Sequence, residues 1–510
     1  MSAGSANPWF PNVYEALFAY DPAQLANGNY VPIPWLAQSF TLSPNGLTAT
    51  ITLRQGIKFH TGNTMTSADV KYSLDRYLFF NDYPTSVTTA VGGGTQYRNY
   101  YASITNVTAT DPSTVVITLA HPDPLLPDEL ASEMLYVMDS AVTESHAVTT
   151  SNSSDHGFDW LNNHGGDVGT GPFSITSETL ESRIQLSKFA NYWGGTLSVN
   201  TPVKSIIYIA YADATAARFA LEKGTVNMLI DATDQETAAL AQEPGFSTIH
   251  APGGLWMNLQ MHPVGPLADW RVREAIKMAI DYKGIISSLS YGLDYYSQSM
   301  FAIGMQGWTN ASAGYFSRQA PNITGAKALL AQAGYPNGFT INLYTRPSSR
   351  FGITFTDFSV ILQSDLAAIG INLVIQTYVV GQFYNYEYEL SLPGMWTQPS
   401  SLLLWGPNFA SVLPGTSGNA LSIGWNSSTE KGPGVNFTLM TSLYQKALQE
   451  TNTATRIAEE QQIDTYFIKY GPYLPVIEMS DKIVYVNTIT GLLWNAVGDN
   501  FVLTPTLSSP

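Results

Sequence analysis

Histidine side chains are the first candidates for metal binding or acid–base chemistry in this sequence. There are seven of them: His60, His121, His146, His156, His164, His250 and His262. No two lie four residues apart on a predicted helix, so the spacing that brings two imidazoles to one zinc ion is missing. The sequence also contains neither a G-x-S-x-G nucleophile elbow nor a phosphate-binding P-loop. We therefore predict no catalytic residue, no metal site and no cofactor.

Aromatic side chains offer a different chemistry, the binding of a solute by flat apolar surface. The chain has 11 Trp, 29 Tyr and 22 Phe. Four of the tryptophans follow or precede predicted strands: Trp256, Trp396, Trp405 and Trp425. An indole beside Asn or Gly gives a sugar or a peptide an apolar face and one hydrogen-bond donor. Packing in the core is the other interpretation for each of these side chains, and the sequence leaves both open.

Composition sets the class of protein. A chain of 510 residues is long enough for two or three domains. Only 12% of the residues are charged, the net charge is −16 and there is no cysteine. The shortage of Lys and Arg argues against a nucleic-acid partner. A surface of Ser, Thr, Asn and Tyr suits an extracellular, acidic or hot setting, and six glycosylation sequons favour an exported glycoprotein.

Predicted strands and amphipathic helices follow one another in mixed order. Asn45-Gly46 opens a period-two strand pair in LTATITLRQGIKF, and VTATDPSTVVITL predicts a second hairpin. Thr66 and Asp69 form a capping-box pattern at the start of a helix. The segments FTINLYT and INLVIQT flank a helix over about 354–369, which predicts a βαβ unit with a parallel strand pair. Residues 141–168 show little periodicity, and we expect a long surface loop there.

Seven segments in a fixed order resemble the family 5 extracellular solute-binding proteins of ABC importers, the dipeptide, oligopeptide and nickel group. They are VYEALFAYDP, LTATITLRQGIKFHTGNTMTSADVKYSLDR, GTGPFSI with NYWGG, PLADWRVREAIKMAID, AKALLAQAGYPNGF, LQSDLAAIGINLVI and YFIKYGPYLPVIE. No single motif is decisive, but seven in order across nearly the whole chain are specific.

The resemblance implies an α/β, two-lobed periplasmic-binding-protein-like fold of the class with an extra subdomain and a hinge between the lobes. Lobe I would comprise 1–40, with its first strand apparently missing, together with 170–255 and the return of the chain over 480–510. The extra subdomain would be 41–169, and lobe II would be 256–479. The function implied is that of an extracellular protein that closes around an oligopeptide and delivers it to an ABC transporter permease. It would be a monomer, on the cell surface or in the periplasm, anchored in the full-length precursor, and not an enzyme.

The resemblance also points to ligand-binding residues. LLWGPNF looks like the family segment in which a tryptophan precedes a cleft-lining loop, which implicates Trp405, Asn408, Phe409 and, further on, Asn419. Other expected ligand contacts are Trp256, Asn258 and Trp396. Arg346 and Arg350, in a loop after a lobe II strand, could grip a carboxylate, or they could be solvated loop charges.

Asn408 is a departure from the family pattern. Peptide-binding members place an acidic residue there, which pairs with the ammonium group of the ligand. An asparagine cannot neutralise an amine, and an unpaired ion in a closed cleft is costly. Either another acid supplies the charge or the ligand is an oligosaccharide, for which Trp405 and Asn408 are suited. We favour a peptide; a secreted glycoside hydrolase and a surface-layer or adhesion module are more remote alternatives.

Overall fold

The computed structural model describes residues 8–20, 31–82, 103–132, 135–149, 154–163, 166–180, 182–194, 203–230, 232–297, 299–308, 320–350, 352–388, 393–401, 424–490 and 492. The chain divides into two compact units. Unit 1 comprises Met1–Asn227 and Val486–Pro510, and unit 2 comprises Met228–Tyr485. The five-segment division expected above, with its separate subdomain over 41–169, stays a prediction.

Unit 1 contains three antiparallel sheets. Its strands are β1 (Phe18–Tyr20), β2 (Pro32–Pro34), β3 (Ala37–Leu42), β4 (Thr48–Leu53), β5 (Ile104–Asp111), β6 (Thr114–Leu119), β7 (Phe173–Thr179), β8 (Arg183–Lys188) and β9 (Ser205–Ile209). They pair as β1-β2, β3-β4-β6-β5 and β7-β8-β9. The helices are α1 (Phe10–Val13), α2 (Ser67–Asp82), α3 (Leu126–Glu129), α4 (Ser140–Ser145), α5 (Phe158–Asn163) and α6 (Ala214–Glu222).

The hairpin predicted in VTATDPSTVVITL is β5-β6, but the strand pair predicted within LTATITLRQGIKF was wrong, because β4 pairs instead with β3, which precedes the Asn45-Gly46 turn. In β4, Ala49, Ile51 and Leu53 are buried and alternate with threonines, the pattern of a strand with one face on the core. Gly46 has φ of 69°, the left-handed conformation that the turn before β4 requires. Asp111 begins the turn between β5 and β6, because its Oδ1 accepts a hydrogen bond of 2.8 Å from the amide of Ser113.

Helix α2 begins with half of the predicted capping box. The Oδ2 atom of Asp69 accepts hydrogen bonds from the amide and the hydroxyl of Thr66, at 2.8 and 3.0 Å. The threonine hydroxyl therefore donates to the aspartate instead of accepting from its amide. The two hydrogen bonds from Thr66 to Asp69 still fix the first turn of the helix.

The expectation of a surface loop over 141–168 was wrong, because most of α4 and all of α5 lie within it. The carboxylate of Asp139 caps α4 by accepting from the amide of Val142 at 3.2 Å. His146 stacks on Trp160 of α5, with ring centroids 4.0 Å apart and planes 8° from parallel. Six-residue helices are too short for apolar periodicity to develop, so capping and stacking specify them instead.

Glu15 lies at the centre of a hydrogen-bond cluster in unit 1. Its Oε1 accepts from the indole of Trp35 and the hydroxyl of Tyr192, both at 2.7 Å. Its Oε2 accepts from the hydroxyl of Thr170 at 2.7 Å and the indole of Trp193 at 2.8 Å. Burial raises the pKa of the Glu15 carboxyl, whereas these four donors lower it. One carboxylate thus joins four segments of the chain.

Unit 2 is built on one mixed seven-stranded sheet. The described strands of unit 2, seven of which form this sheet, are β10 (Met228–Ile230), β11 (Phe246–Met261), β12 (Tyr295–Tyr296), β13 (Phe339–Thr345), β14 (Ser349–Arg350), β15 (Ile353–Thr354), β16 (Ile371–Thr377), β17 (Met395–Ser401) and β18 (Tyr473–Val486). The sheet order is β10-β18-β11-β17-β13-β16, β12 pairs with β18, and β14 pairs with β15.

Helices alternate with these strands along the chain. They are α7 (Asp234–Leu240), α8 (Trp270–Ala279), α9 (Tyr282–Leu289), α10 (Ile323–Gln332), α11 (Phe355–Ala367), α12 (Val380–Tyr388), α13 (Phe437–Ala447) and α14 (Thr453–Tyr470). The predicted βαβ unit is β13-α11-β16, with β13 and β16 parallel. The pattern in the sequence was reliable because a helical segment lies between two apolar segments that are typical of strands.

Lys277 of α8 ties the end of α14 to the rest of unit 2. Its buried Nζ donates to the carbonyl oxygens of Ile468 at 2.5 Å and of Lys469 and Gly471 at 3.3 Å. These include carbonyls at the end of α14, which find no partner within the helix. Burial lowers the pKa of Lys277 to about 8.

Replacing Lys277 with Met is expected to destabilise the protein by about 2–4 kcal/mol, because it leaves buried carbonyl oxygens without a donor. The measurement is the free energy of unfolding by urea, followed by tryptophan fluorescence. Lys327→Met on the exposed face of α10 is the matched control and should change it by less than about 0.5 kcal/mol. Equal stabilities of the two variants would refute the capping role.

Candidate functional site

A continuous polar surface crosses three strands of unit 2. In the register of the sheet, Asn258 of β11 lies opposite Gln398 of β17, and Gln260 lies opposite Trp396. Residues that face each other across two strands project from the same side of the sheet. We call this side the polar face, and its members are Trp256, Asn258, Gln260, Trp396, Gln398 and Arg346.

Strand alternation explains why polar side chains collect on this side. In the segment WMNLQM, Met257, Leu259 and Met261 point to the opposite side, and all three are buried. Asn258 and Gln260 are also 0% exposed. Two amides enclosed within a sheet are unusual, because buried polar groups need hydrogen-bond partners. This surface is therefore the strongest candidate for a site on unit 2.

Arg346 lies at one end of the polar face, directly after β13. Its guanidinium carbon is 4.1 Å from the ring centroid of Phe355, 4.8 Å from that of Phe383 and 4.9 Å from that of Tyr384. Nη1 donates to Oε1 of Gln398 at 2.7 Å. The side chain is 2% exposed, so the alternative of a solvated loop charge is wrong for Arg346. Burial lowers the pKa of this guanidinium. The three aromatic rings stabilise its positive charge.

The location of Arg346 follows from the topology of the sheet. Strands β13 and β17 are parallel, so both reach the same edge of the sheet with their carboxyl ends. Open α/β sheets bind ligands at this edge, because loops leaving the strands meet there. Thr345 and Thr397 join the two strand ends by a hydroxyl–hydroxyl hydrogen bond of 3.0 Å. The cation is thereby held on rigid backbone.

Asn258 has unused hydrogen-bonding capacity. Neither its Oδ1 nor its Nδ2 has a partner among the described residues, although the side chain is completely buried. Oε1 of Gln260 accepts from the indole of Trp396, but its Nε2 has no partner. A buried amide left unpaired costs about 1–3 kcal/mol, which a bound ligand or water would recover.

The structure describes two tryptophans of the predicted site, and both lie within strands of the unit 2 sheet. Trp256 is in the middle of β11, because that strand runs for 16 residues. Its indole lies near the carboxyl group of Glu478 and lowers the pKa of that group. Trp396 packs with Tyr344 and Phe383 in an aromatic cluster and is 0% exposed. Trp396 therefore packs in the core of unit 2 and also belongs to the polar face, and its expected contact with a ligand stays a prediction.

Glu387 is a residue of this region that the sequence did not single out. It lies on α12, one turn after Phe383, and is 1% exposed. Neither carboxyl oxygen has a hydrogen-bond partner among the described residues. Burial raises its pKa to about 8, against the influence of Arg346, which lowers it. Its i,i+4 spacing from Phe383 on the buried side of α12 was the available signal.

The remaining predicted site residues cannot be placed. Trp405, Asn408, Phe409 and Asn419 lie outside the described residues, and so does the side chain of Arg350. Within the described ranges, no group of three or more histidine, aspartate or glutamate side chains is arranged to hold a metal ion. None of the helices in those ranges is both long and apolar enough to cross a membrane.

The architecture is that of the periplasmic binding proteins. The ABC transporter-associated periplasmic binding protein DppA of Helicobacter pylori, solved in complex with the peptide STSA, superposes with a TM-score of 0.74. The match covers 99% of this chain and 93% of that protein at 21% sequence identity. The predicted fold class, a mixed α/β binding-protein fold, is confirmed.

The chain belongs to the bacterial extracellular solute-binding proteins, family 5. The model of this family, described as "family 5 Middle", matches residues 31–409. A glutathione-binding protein of Salmonella typhi is 27% identical over 351 residues, covering 68% of this chain and 61% of the relative. A dipeptide-binding protein of Escherichia coli is 25% identical over 406 residues, covering 75% of this chain and 72% of the relative. The resemblance seen in the sequence is confirmed.

The chain spans about 61% of the length of the glutathione-binding relative. These relatives are binding proteins and not enzymes, in agreement with the expectation that this chain is not an enzyme. The likeness therefore extends to the class of protein, whereas the solute bound by this chain is a separate question.

Proposed function

We propose that this protein binds an oligopeptide outside the cell membrane, on the extracellular or periplasmic side, and delivers it to an ABC transporter permease. Membership of family 5 supports the binding of a solute for import. The observation that carries the choice of ligand is the buried cation Arg346 at the carboxyl edge of β13.

Arg346 suits a carboxylate ligand better than a neutral one. A guanidinium presents paired N–H donors that match the two oxygens of a carboxylate. Its aromatic surroundings exclude water and so strengthen the attraction. Every linear peptide ends in such a carboxylate, whereas a neutral sugar leaves the cation without a counter-charge.

The unpaired amide of Asn258 suits the rest of a peptide. Gln398 lies between Arg346 and Asn258, because it is opposite Asn258 and bonded to Arg346. Strands are about 4.8 Å apart, so the two outer residues are separated by roughly 10 Å. An extended peptide spans this distance with about three residues. Its amide groups would meet the donor and the acceptor of Asn258.

An oligosaccharide is the second candidate, favoured by one observation. Three of the polar-face side chains are neutral amides, Asn258, Gln260 and Gln398, and amides bind hydroxyl groups well. Trp405 and Asn408 would add to such a surface. Like Phe409, Asn419 and Arg350, they are expected ligand contacts. The proposed ligand remains a peptide because of the charge on Arg346.

Native mass spectrometry of the freshly purified chain tests the ligand class. We expect additional masses that correspond to sums of amino-acid residues and disappear after mild unfolding and refolding. Masses spaced by hexose or pentose units would replace the peptide with an oligosaccharide. If no solute is retained and a peptide mixture leaves the unfolding temperature unchanged, the proposed function fails.

A further inference from the structure

Three buried carboxyl groups form no ion pair with any cation among the described residues. Glu129 in unit 1, and Asp464 and Glu478 in unit 2, are each at most 6% exposed. Burying an ionised carboxylate is costly unless it is paired and hydrogen-bonded. Their surroundings therefore determine whether these groups carry a charge in the working protein.

Glu129 lies beside two other acids. Asp123 and Asp128 are buried in the same turn, where Asp123 accepts from the amide of Leu125 and Asp128 from the hydroxyl of Tyr20, both at 2.9 Å. Asp123 and Asp128 both oppose the ionisation of Glu129, and Oε2 of Glu129 has no hydrogen-bond partner among the described residues. Burial first, and then both aspartates, raise the pKa of Glu129 well above its usual range.

Asp464 of α14 is surrounded by neutral groups. It accepts hydrogen bonds from the hydroxyl of Ser299 at 2.9 Å and from the amide of Met300 at 2.7 Å. Burial raises its pKa to about 7, although both bonds lower it. No charged group contributes to that shift.

Glu478 of β18 has a similar environment. It accepts from the amide of Ile303 at 3.1 Å and lies near the indole of Trp256. Tyr295 of β12 faces it across the strands, and the carboxylate of Asp294 opposes its ionisation. Burial raises its pKa to about 8.

The nearby cation is already engaged. Lys482, on the same strand as Glu478, contacts Asp294 at 2.8 Å and Asp234 at 2.9 Å. Two carboxylates thus share one ammonium group, which leaves no excess positive charge for Glu478. Burial and the neighbouring Asp294 raise the pKa of Asp234, whereas Lys482 lowers it.

We propose that this protein works in acidic surroundings, where these buried carboxyl groups are neutral, and that its fold loosens as the pH approaches and passes neutrality. These carboxyl groups lie in both units, among neutral donors or beside other acids. The effect does not depend on which ligand is bound. The charged residues, only 12% of the chain, give a surface that changes little in acid, as such surroundings require.

The sign of the pH dependence follows from linkage. An acid whose pKa is raised by folding holds its proton more tightly in the native state than in the unfolded chain. Its contribution to stability is complete below the pKa of the unfolded carboxyl, about 4. The contribution is lost as the pH rises through the folded values of about 7 for Asp464 and about 8 for Glu478.

Thermal unfolding of the full chain from about pH 3 to about pH 8 tests the proposal. We expect the unfolding temperature to be highest in acid and to fall by roughly 10 °C between about pH 5 and pH 8. Glu129→Gln, Asp464→Asn and Glu478→Gln should each reduce this fall. Glu222→Gln, which removes an exposed acid paired with Arg218, should leave the slope unchanged. A protein more stable at pH 8 than at pH 4 overturns the proposal.

Infrared spectroscopy gives a second readout that needs no variant to fold. The carbonyl stretch of protonated carboxyl groups should persist in the native protein at about pH 6, where exposed acids are ionised. Unfolding at the same pH should abolish that band. Its absence from the native protein would equally overturn the proposal.

Discussion

The Arg346→Gln variant should bind the co-purified ligand at least about 30-fold more weakly than the unaltered protein. Removing one partner of a buried charge pair costs about 2–5 kcal/mol, which corresponds to that loss or more. Glutamine can still bond to Gln398 but offers no positive charge to a carboxylate. The measurement is isothermal titration calorimetry with the peptide identified by mass spectrometry.

Two controls separate ligand binding from folding in this experiment. Arg271→Gln makes the same substitution on α8 of unit 2, where the guanidinium pairs with Asp269 at 2.6 Å, and it should keep full affinity. The pKa of Glu387 is about 8, so below that pH this acid is neutral, and losing Arg346 leaves no stranded negative charge. The fold should therefore survive. Unchanged affinity in a folded Arg346→Gln variant would exclude Arg346 from the site.

The Glu15→Gln variant should lower the unfolding temperature by roughly 5–15 °C near neutral pH, the largest stability effect expected in unit 1. Glutamine keeps the shape of the side chain but turns one acceptor oxygen into a donor. Two of the four groups that now donate to Glu15 would then face an N–H group. Losing acceptors for two buried donors costs about 2–4 kcal/mol.

The matched control for this prediction is Glu178→Gln, an exposed position on β7. It should shift the unfolding temperature by no more than about 2 °C. Tryptophan fluorescence adds a local readout, because the indoles of Trp35 and Trp193 both donate to Glu15. If the variant unfolds at the same temperature as the unaltered protein, the four hydrogen bonds contribute no net stability.

Elements with strong periodic patterns could be predicted from the sequence. The strand β4, the hairpin β5-β6 and the unit β13-α11-β16 lie where alternation and turn residues place them, whereas β3, the partner of β4, was not predicted. Each depends on residues close together in the chain, so local physics is sufficient. The short helices α4 and α5 were missed because one or two turns show no period.

The polar face could be predicted only in part. Arg346, Asn258, Trp256 and Trp396 were named from the sequence, but nothing in it shows that Asn258 and Gln398 face each other. That pairing joins positions 140 residues apart and is fixed by the register of β11 and β17. Glu387 was missed because a single acid on a short helix resembles a solvated residue until the packing of α12 is known.

The strand order of unit 2 has a consequence for its biosynthesis. Its first strand, β10, pairs with the end of its last, β18, so Met228 meets Tyr485. Lys482, which bridges Asp234 and Asp294, is also among the last residues of the unit to be made. A ribosome that has just completed α14 therefore carries a unit whose sheet still lacks β18, the strand between β10 and β11. Closure of such distant contacts is slow, and the nascent chain exposes unpaired strand edges until then.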